Sequence, residues 1–380
     1  MDFRFNEEQL ELGRAARRFL EVESSSERVR AAMESERGFD PAVYKRIAEE
    51  LGWLAVTIPE EYEGLGLGAV DLMPILEEMG RFLYCGPFFS TICLGVNALL
   101  LGGDDAQKGE LLPYVARGET TLTLAHAEAR AKWDSAEIEC EYEKRGDDYV
   151  LSGEKRYVLD GLTADRVVVA ARAKGSKGAE GISLFLVSGE ADGLSKSHLP
   201  TVDMTRREAA LTFREVHVAR DALVGEEGAG HALLERILDR ARAALAVEQV
   251  GGAERCLDMA VAYSLERKQF GRVIGSFQAI KHMAADMLWR VENARSIAYA
   301  ANVAVDAGDD AEIAEMASAA KATASTAFFQ NAADNIQIHG GVGFTWEFDP
   351  HLYFKRAKAS EEHFGSPAMH RERVARAMGL

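Results

Sequence analysis

The stretch YSLERKQFGRVIGSFQAIKH, residues 263–282, decides how this chain reads. The charged run Glu266-Arg267-Lys268 and the glycines Gly271 and Gly275 interrupt an apolar periodicity that is helical on both sides. Upstream, HALLERILDRARAALAVEQVGGAERCLDMAVAYSLER (231–267) repeats apolar side chains at helical spacing. SFQAIKHMAADMLWRVENARSIAYAANVAVDAG (276–308) and AEIAEMASAAKATASTAFFQNAADNIQIHG (311–340) do the same downstream. Helices this long, joined by short turns containing Gly and Asp and followed by a shorter terminal helix, predict an up-down four-helix bundle over residues 229–380.

Toward the N-terminus the period changes. Across 121–228 the segments TLTLAHAE, DYVLSGEKRYVL, RVVVAARA, GISLFLVS and AALTFREVHVA alternate apolar and polar residues between Gly, Asp or Lys clusters, as short strands do. They predict a small antiparallel sandwich or barrel, with Ser152-Gly153 as a hairpin signal. Residues 1–120 return to a helical pattern. Asn6 with Gln9 reads as a capping box, and Asp40-Pro41 as an N-cap followed by proline in the first turn. LGWLAVTIPEEYEGLGLG (51–68) breaks the pattern as a loop; with Glu60, Glu61 and Glu63 beside its glycines and no lysine following, it reads as a turn rather than a phosphate cradle. The fold class is therefore mixed α and β in three domains.

Composition narrows the function. With 47% hydrophobic and 28% charged residues, 380 residues can bury a large core. The longest apolar stretches, such as STICLGVNALLLGG, fall short of the roughly 20 residues a bilayer span needs, and the charged N-terminus is not signal-like. A net charge of −17 disfavours nucleic-acid binding. Four scattered cysteines fit a reducing cytoplasm, and nine histidines show no metal-ligand spacing, so no metal site is expected. There is no G-x-S-x-G elbow, no H-E-x-x-H, no P-loop and no G-x-G-x-x-G between a strand and a helix.

Two segments could carry chemistry. In the opening stretch, Arg267, Gln269, Phe270 and Gln278 bracket the glycine break; from the residues alone these are a solvated helix end and a packing phenylalanine. In IQIHGGVGFTWEFD (336–349), Gln337 ends a helix and Gly340, Gly341 and Gly343 admit close backbone approach, or serve as a glycine-rich C-cap. In this order, beside the loop IPEEYEGLGLG, the two segments resemble the acyl-CoA dehydrogenase family, flavoproteins that oxidise acyl-CoA thioesters to 2-enoyl-CoA. The resemblance covers nearly the whole chain and implies a helical N-terminal domain, a β middle domain and a C-terminal helix bundle.

It also implies roles. Arg267, Gln269, Phe270 and Gln278 match positions that reach a neighbouring subunit's FAD, with the guanidinium suited to pyrophosphate oxygens. Gln337 and Gly341 match positions supporting the same dinucleotide, and Arg242 a position in the substrate pocket. On the sheet side, AHAEARAKWD (125–134) stands where many members have T-E-P-x-x-G-S-D, and Tyr157-Val158-Leu159 where they have W-I-T or W-I-S. Tyr157 can stack on a flavin, but Leu159 lacks a hydroxyl. The family's carboxylate base, from an E-G-T or E-G-S segment, aligns with Phe364-Gly365-Ser366; the alternative position, just before an arginine, is Ala241. Glu248, two helical turns on, is the remaining candidate base or a structural ion-pair partner.

This mixture resembles heteromeric bacterial (FadE-type) members, including the small subunit of pimeloyl-CoA dehydrogenase and some steroid side-chain dehydrogenases. The expectation is one subunit of an α2β2 tetramer that dehydrogenates a bulky, dicarboxylic or otherwise unusual acyl-CoA and passes electrons to an electron-transfer flavoprotein. A homotetramer using Glu248, a flavin-free scaffold without catalysis and a lyase acting on an acyl-CoA are the alternatives.

Overall fold

A computed structural model describes residues 5–129 and 133–380. Ahead of the sheet run α1 (Glu7–Glu23), α2 (Ser26–Glu34), α3 (Pro41–Glu49), α4 (Ala69–Arg81), α5 (Asn97–Gly102) and α6 (Asp105–Ala116). The predicted start signals are in place. The Gln9 amide donates to Asn6 Oδ1 at 2.8 Å and the Asn6 amide to Gln9 Oε1 at 3.0 Å, a reciprocal cap that satisfies two orphan donors. Asp40 Oδ1 accepts from the Ala42 amide at 2.9 Å, with Pro41 opening the helix. The 51–68 stretch is a loop with two short 3-10 turns, Trp53–Ala55 and Glu60–Tyr62. Gly64 is required there: a Cβ would lie 1.8 Å from the Ile58 carbonyl oxygen.

The strands are β1 (Leu122–Ala125), β2 (Glu141–Arg145), β3 (Asp148–Leu159), β4 (Arg166–Ala173), β5 (Ile182–Ser188), β6 (Leu194–Leu199), β7 (Glu208–Val218) and β8 (Leu223–Val224). They order as β6-β7-β3-β2-β4-β5-β8, with β1 also on β4. Most pairings are antiparallel, but β1 and β2 both run parallel to β4. The Ser152-Gly153 hairpin expectation is corrected. Both residues lie inside β3, where the register shifts and a Cβ on Gly153 would lie 2.7 Å from Cys140 Cα. That glycine marks an irregular strand and a close approach. The β2–β3 turn is instead Gly146-Asp147, with Arg145 opposite Asp148.

Beyond the sheet come α7 (Gly230–Glu266), a hairpin of β9 (Lys268–Gln269) and β10 (Arg272–Val273), then α8 (Gln278–Ala307) and α9 (Asp310–His339). Two short helices follow rather than the one expected, α10 (Pro350–Glu362) and α11 (Pro367–Ala377), because the turn at 363–366 interrupts the last segment. Buried asparagines set the register of the long helices. Asn302 Nδ2 donates to the Ala243 carbonyl at 3.1 Å, and Asn331 Nδ2 to those of Ala253 and Met287 at 3.2 and 3.1 Å. A slip of any helix would strand a buried amide.

The chain divides into two compact units. The bundle unit is Met1–Ala31, Ala69–Tyr84 and Arg242–Leu380; the sheet unit is Ala32–Gly68 and Cys85–Ala241. Among the described residues no helix is long and apolar enough to cross a membrane, and no group of three or more His, Cys, Asp or Glu residues is placed to hold a metal.

Candidate functional site

In the bundle unit, one end of the helices gathers the two motifs. Tyr263, one turn before the end of α7, stacks on His339 at the end of α9 with ring centroids 4.1 Å apart, which brings Arg267 and Gln337 to the same end. Arg267, Gln269, Phe270, Gln278, Gln337 and Gly341 are all exposed there. The β9–β10 tip holds Phe270 at φ 53° and leaves its ring 91% exposed, against an apolar side chain's ordinary preference. Phe277 lies edge-on to Phe270, and Arg272 sits 4.1 Å above the Phe277 ring. A Cβ on Gly340 or Gly341 would meet nothing within 4 Å, so the backbone stands open. A guanidinium, amides and an exposed ring around an open glycine turn fit an anionic dinucleotide.

The second locus of this unit is the turn after α10. Phe364 is 2% exposed and held at φ 60°, a left-handed conformation that a bulky residue rarely adopts. The surrounding side chains pin it. Arg242 Nε donates to the Phe364 carbonyl at 3.1 Å, and His370 Nε2 lies 3.1 Å from the same oxygen. Lys321 Nζ donates to the carbonyls of Glu361 and Gly365 at 3.0 and 3.3 Å, and to Ser325 Oγ at 2.9 Å. Gln249 Nε2 donates to the Ser360 carbonyl at 3.1 Å. Helices α7, α9 and α11 thus supply donors to the orphan carbonyls at the end of α10. Burial, then the neighbouring Arg242, push the Lys321 ammonium down to about 7. Burial, then Arg242 and Lys321, hold His370 far below the histidine range, so it stays neutral, with its Nε2 proton facing the carbonyl.

The candidate bases are placed as follows. Position 364 carries the buried phenylalanine and Ala241 is fully buried. Glu248 Oε1 takes Arg356 Nη1 at 3.1 Å in a pair that is almost wholly buried, and Arg356 Nη2 also reaches the Tyr84 carbonyl at 3.4 Å. The two side chains form a buried ion pair that joins α7 to α10. Glu361 and Glu362 both turn to Lys358, at 2.9 and 3.4 Å.

In the sheet unit, Tyr157 occupies an irregular position of β3 at φ 57°, between Lys155 and Val158, where the register with β7 shifts. The segment after β1 is anchored to this strand. The Arg156 amide donates to the Ala127 carbonyl at 2.9 Å, while the fully buried Lys155 Nζ reaches Glu128 Oε1 at 2.7 Å and the His126 carbonyl at 3.1 Å. Glu128 also accepts from the Glu139 and Cys140 amides at 2.8 and 2.9 Å. Of the AHAEARAKWD loop, residues 130–132 lie outside the described residues. Trp133, 9% exposed, leans on His126 with centroids 5.5 Å apart and on Tyr157 at 6.3 Å.

Sequence reasoning missed Lys321, His370, Gln249 and Trp133. Lys321 did carry a signal, as a lone charge in the small-residue run ASAAKATAS (317–325). His370 and Gln249 had none, because their partners, the Phe364 carbonyl for one and Ser325 and Ser360 for the other, lie in separate segments that no local pattern links.

The acyl-CoA dehydrogenase N-terminal, middle and C-terminal domains match residues 6–119, 123–216 and 228–379. The acyl-CoA dehydrogenase IpdE2 of Mycolicibacterium smegmatis is 33% identical over 92% of this chain and 91% of its own. A solved structure described as the electron transferring flavoprotein of Acidaminococcus fermentans superposes with a TM-score of 0.92 at 29% identity, covering 100% of this chain and 99% of that one. A Tcur3481-Tcur3483 steroid ACAD variant gives 0.88 at 31% identity, covering 98% of both. By domain content, by identity along nearly its whole length and by fold, this chain belongs to the acyl-CoA dehydrogenase family.

Proposed function

We propose that the chain is one subunit of a heteromeric flavoprotein that dehydrogenates the Cα–Cβ bond of an acyl-CoA thioester. It would present Arg267, Gln269, Phe270, Gln278, Gln337 and Gly341 to FAD seated mainly on a homologous partner, in an α2β2 assembly. The observation that carries this reading is the contrast between an exposed dinucleotide rim and a base position filled by Phe364, with Glu248 engaged by Arg356.

When bound, the flavin supplies the hydride acceptor. This chain's contribution is electrostatic and steric. Arg267 offers charge-assisted bonds to pyrophosphate oxygens, the glycines at 340–341 let the dinucleotide approach the backbone, and Phe270 gives an apolar contact. Phe364 accepts no proton, so the base that removes the Cα proton comes from the partner. Electrons pass to an electron-transfer flavoprotein, a reading supported by the solved relative of that description. The steroid ACAD relative, designated by two chains, supports pairing and a bulky acyl group.

The test is to purify the chain alone and with a homologue carrying a glutamate at either base position, then add acyl-CoA anaerobically and follow visible flavin absorbance. The pair bleaches and the chain alone does not; Arg267→Ala in this chain lowers the flavin content of the pair. An active yellow homotetramer of this chain would reject obligate pairing.

A further inference from the structure

In the sheet unit, the position where the resemblance places the flavin ring, Tyr157, has a second aromatic side chain against it. Trp133 and Tyr157 are in contact, with centroids 6.3 Å apart and planes at 47°. A flat ring entering between these two would need about 7 Å between parallel planes, two contacts of roughly 3.5 Å. Nor is the indole loosely placed. It is 9% exposed and backed by His126, whose own stretch, residues 126–128, is fastened to β3 by Lys155 and the Arg156 amide. The irregular register that holds Tyr157 at φ 57° fixes the other wall.

We propose that Trp133 closes the ring pocket of this chain's own sheet, so that the chain donates to a flavin site without holding a flavin itself. This rests on the family's placement of the ring at Tyr157 and deepens the shared-site reading. That reading allows a weak sheet-side site; the indole would make it a blocked one. Blocking leaves a single flavin per pair of chains and keeps the rim of each copy committed to its partner's flavin.

The experiment reads binding alone, so it is separate from turnover. FAD is titrated into the purified full chain, as wild type, Trp133→Ser and Trp133→Phe, with retained flavin measured by absorbance after gel filtration. Circular dichroism checks folding. Wild type is expected to retain little flavin, Trp133→Ser to bind at least about tenfold more tightly, and Tyr157→Ala in the Trp133→Ser background to lose that gain. Should the serine variant not fold, Trp133→Phe, which keeps a ring against His126 but shortens the reach, is expected to bind about threefold more tightly than wild type. Folded variants that bind FAD no better than wild type overturn the proposal, as does stoichiometric FAD on the wild-type chain alone. Bleaching of a pair despite unchanged variants would sink the plug and leave the shared-site function standing.

Discussion

Lys321 is costly to bury: a fully buried ammonium whose hydrogen-bond partners are two main-chain oxygens and a serine. Around it, Arg242 and neutral His370 crowd the same turn, while Glu361 and Glu362 oppose the downward shift only weakly. With a folded value near 7 and an ordinary value of 10.5, the unfolded chain binds more protons than the folded one throughout that window. Stability therefore rises with pH between the two values and is lost as pH falls through 7. Relative to Lys321→Met, wild type should gain on the order of 2 kcal/mol in denaturant unfolding free energy between pH 7 and 9, at up to about 1.4 kcal/mol per pH unit. Parallel pH curves for the two proteins would mean that the lysine stays charged in the fold, held by the carbonyls alone.

Among the elements, α4 and α7 cross with their main chains in close approach at two glycines. A Cβ on Gly80 would lie 1.8 Å from the Glu248 carbonyl oxygen, and one on Gly251 would lie 1.8 Å from that of Glu77. Main chain cannot yield as a side chain can, so Gly251→Ala should cost at least about 3 kcal/mol, the upper end of overpacking. Gly109, exposed inside α6 with nothing within 4 Å of a Cβ, should respond oppositely, Gly109→Ala gaining about 0.5–1 kcal/mol. Urea denaturation of the two variants checks both signs; equal effects would show that the crossing relaxes. The same contrast explains what could be read from sequence. The long helices and β3, β4, β5 and β7 announce themselves through periodicity and apolar content. By contrast, β2 (EYEKR) and β6 (LSKSHL) are polar, and β6 half-exposed, so nothing separates them from loop. The turn that splits α10 from α11 was hidden because a phenylalanine stands there in a left-handed conformation, its carbonyl held by Arg242 and His370.

Over the whole molecule, the 17 excess negative charges would repel an anionic dinucleotide, yet the hairpin after α7 places Arg267, Lys268 and Arg272 within six residues. The cluster proposed to face the dinucleotide could be picked out because its residues are side chains at exposed positions; Trp133 could not, because its neighbours His126 and Tyr157 are set by packing. Phe270 separates the two readings of the hairpin available from the residues. As a packing residue its loss should lower stability; as a ligand contact it should not, since its ring is 91% exposed. Phe270→Ser is expected to change unfolding free energy by less than about 0.5 kcal/mol. In the paired assembly it should loosen flavin roughly tenfold, about 1.4 kcal/mol. Denaturant midpoint and flavin release on dilution, measured on one preparation, decide between them: a destabilised chain with flavin retention unchanged would return Phe270 to a packing role and remove the aromatic contact from the rim.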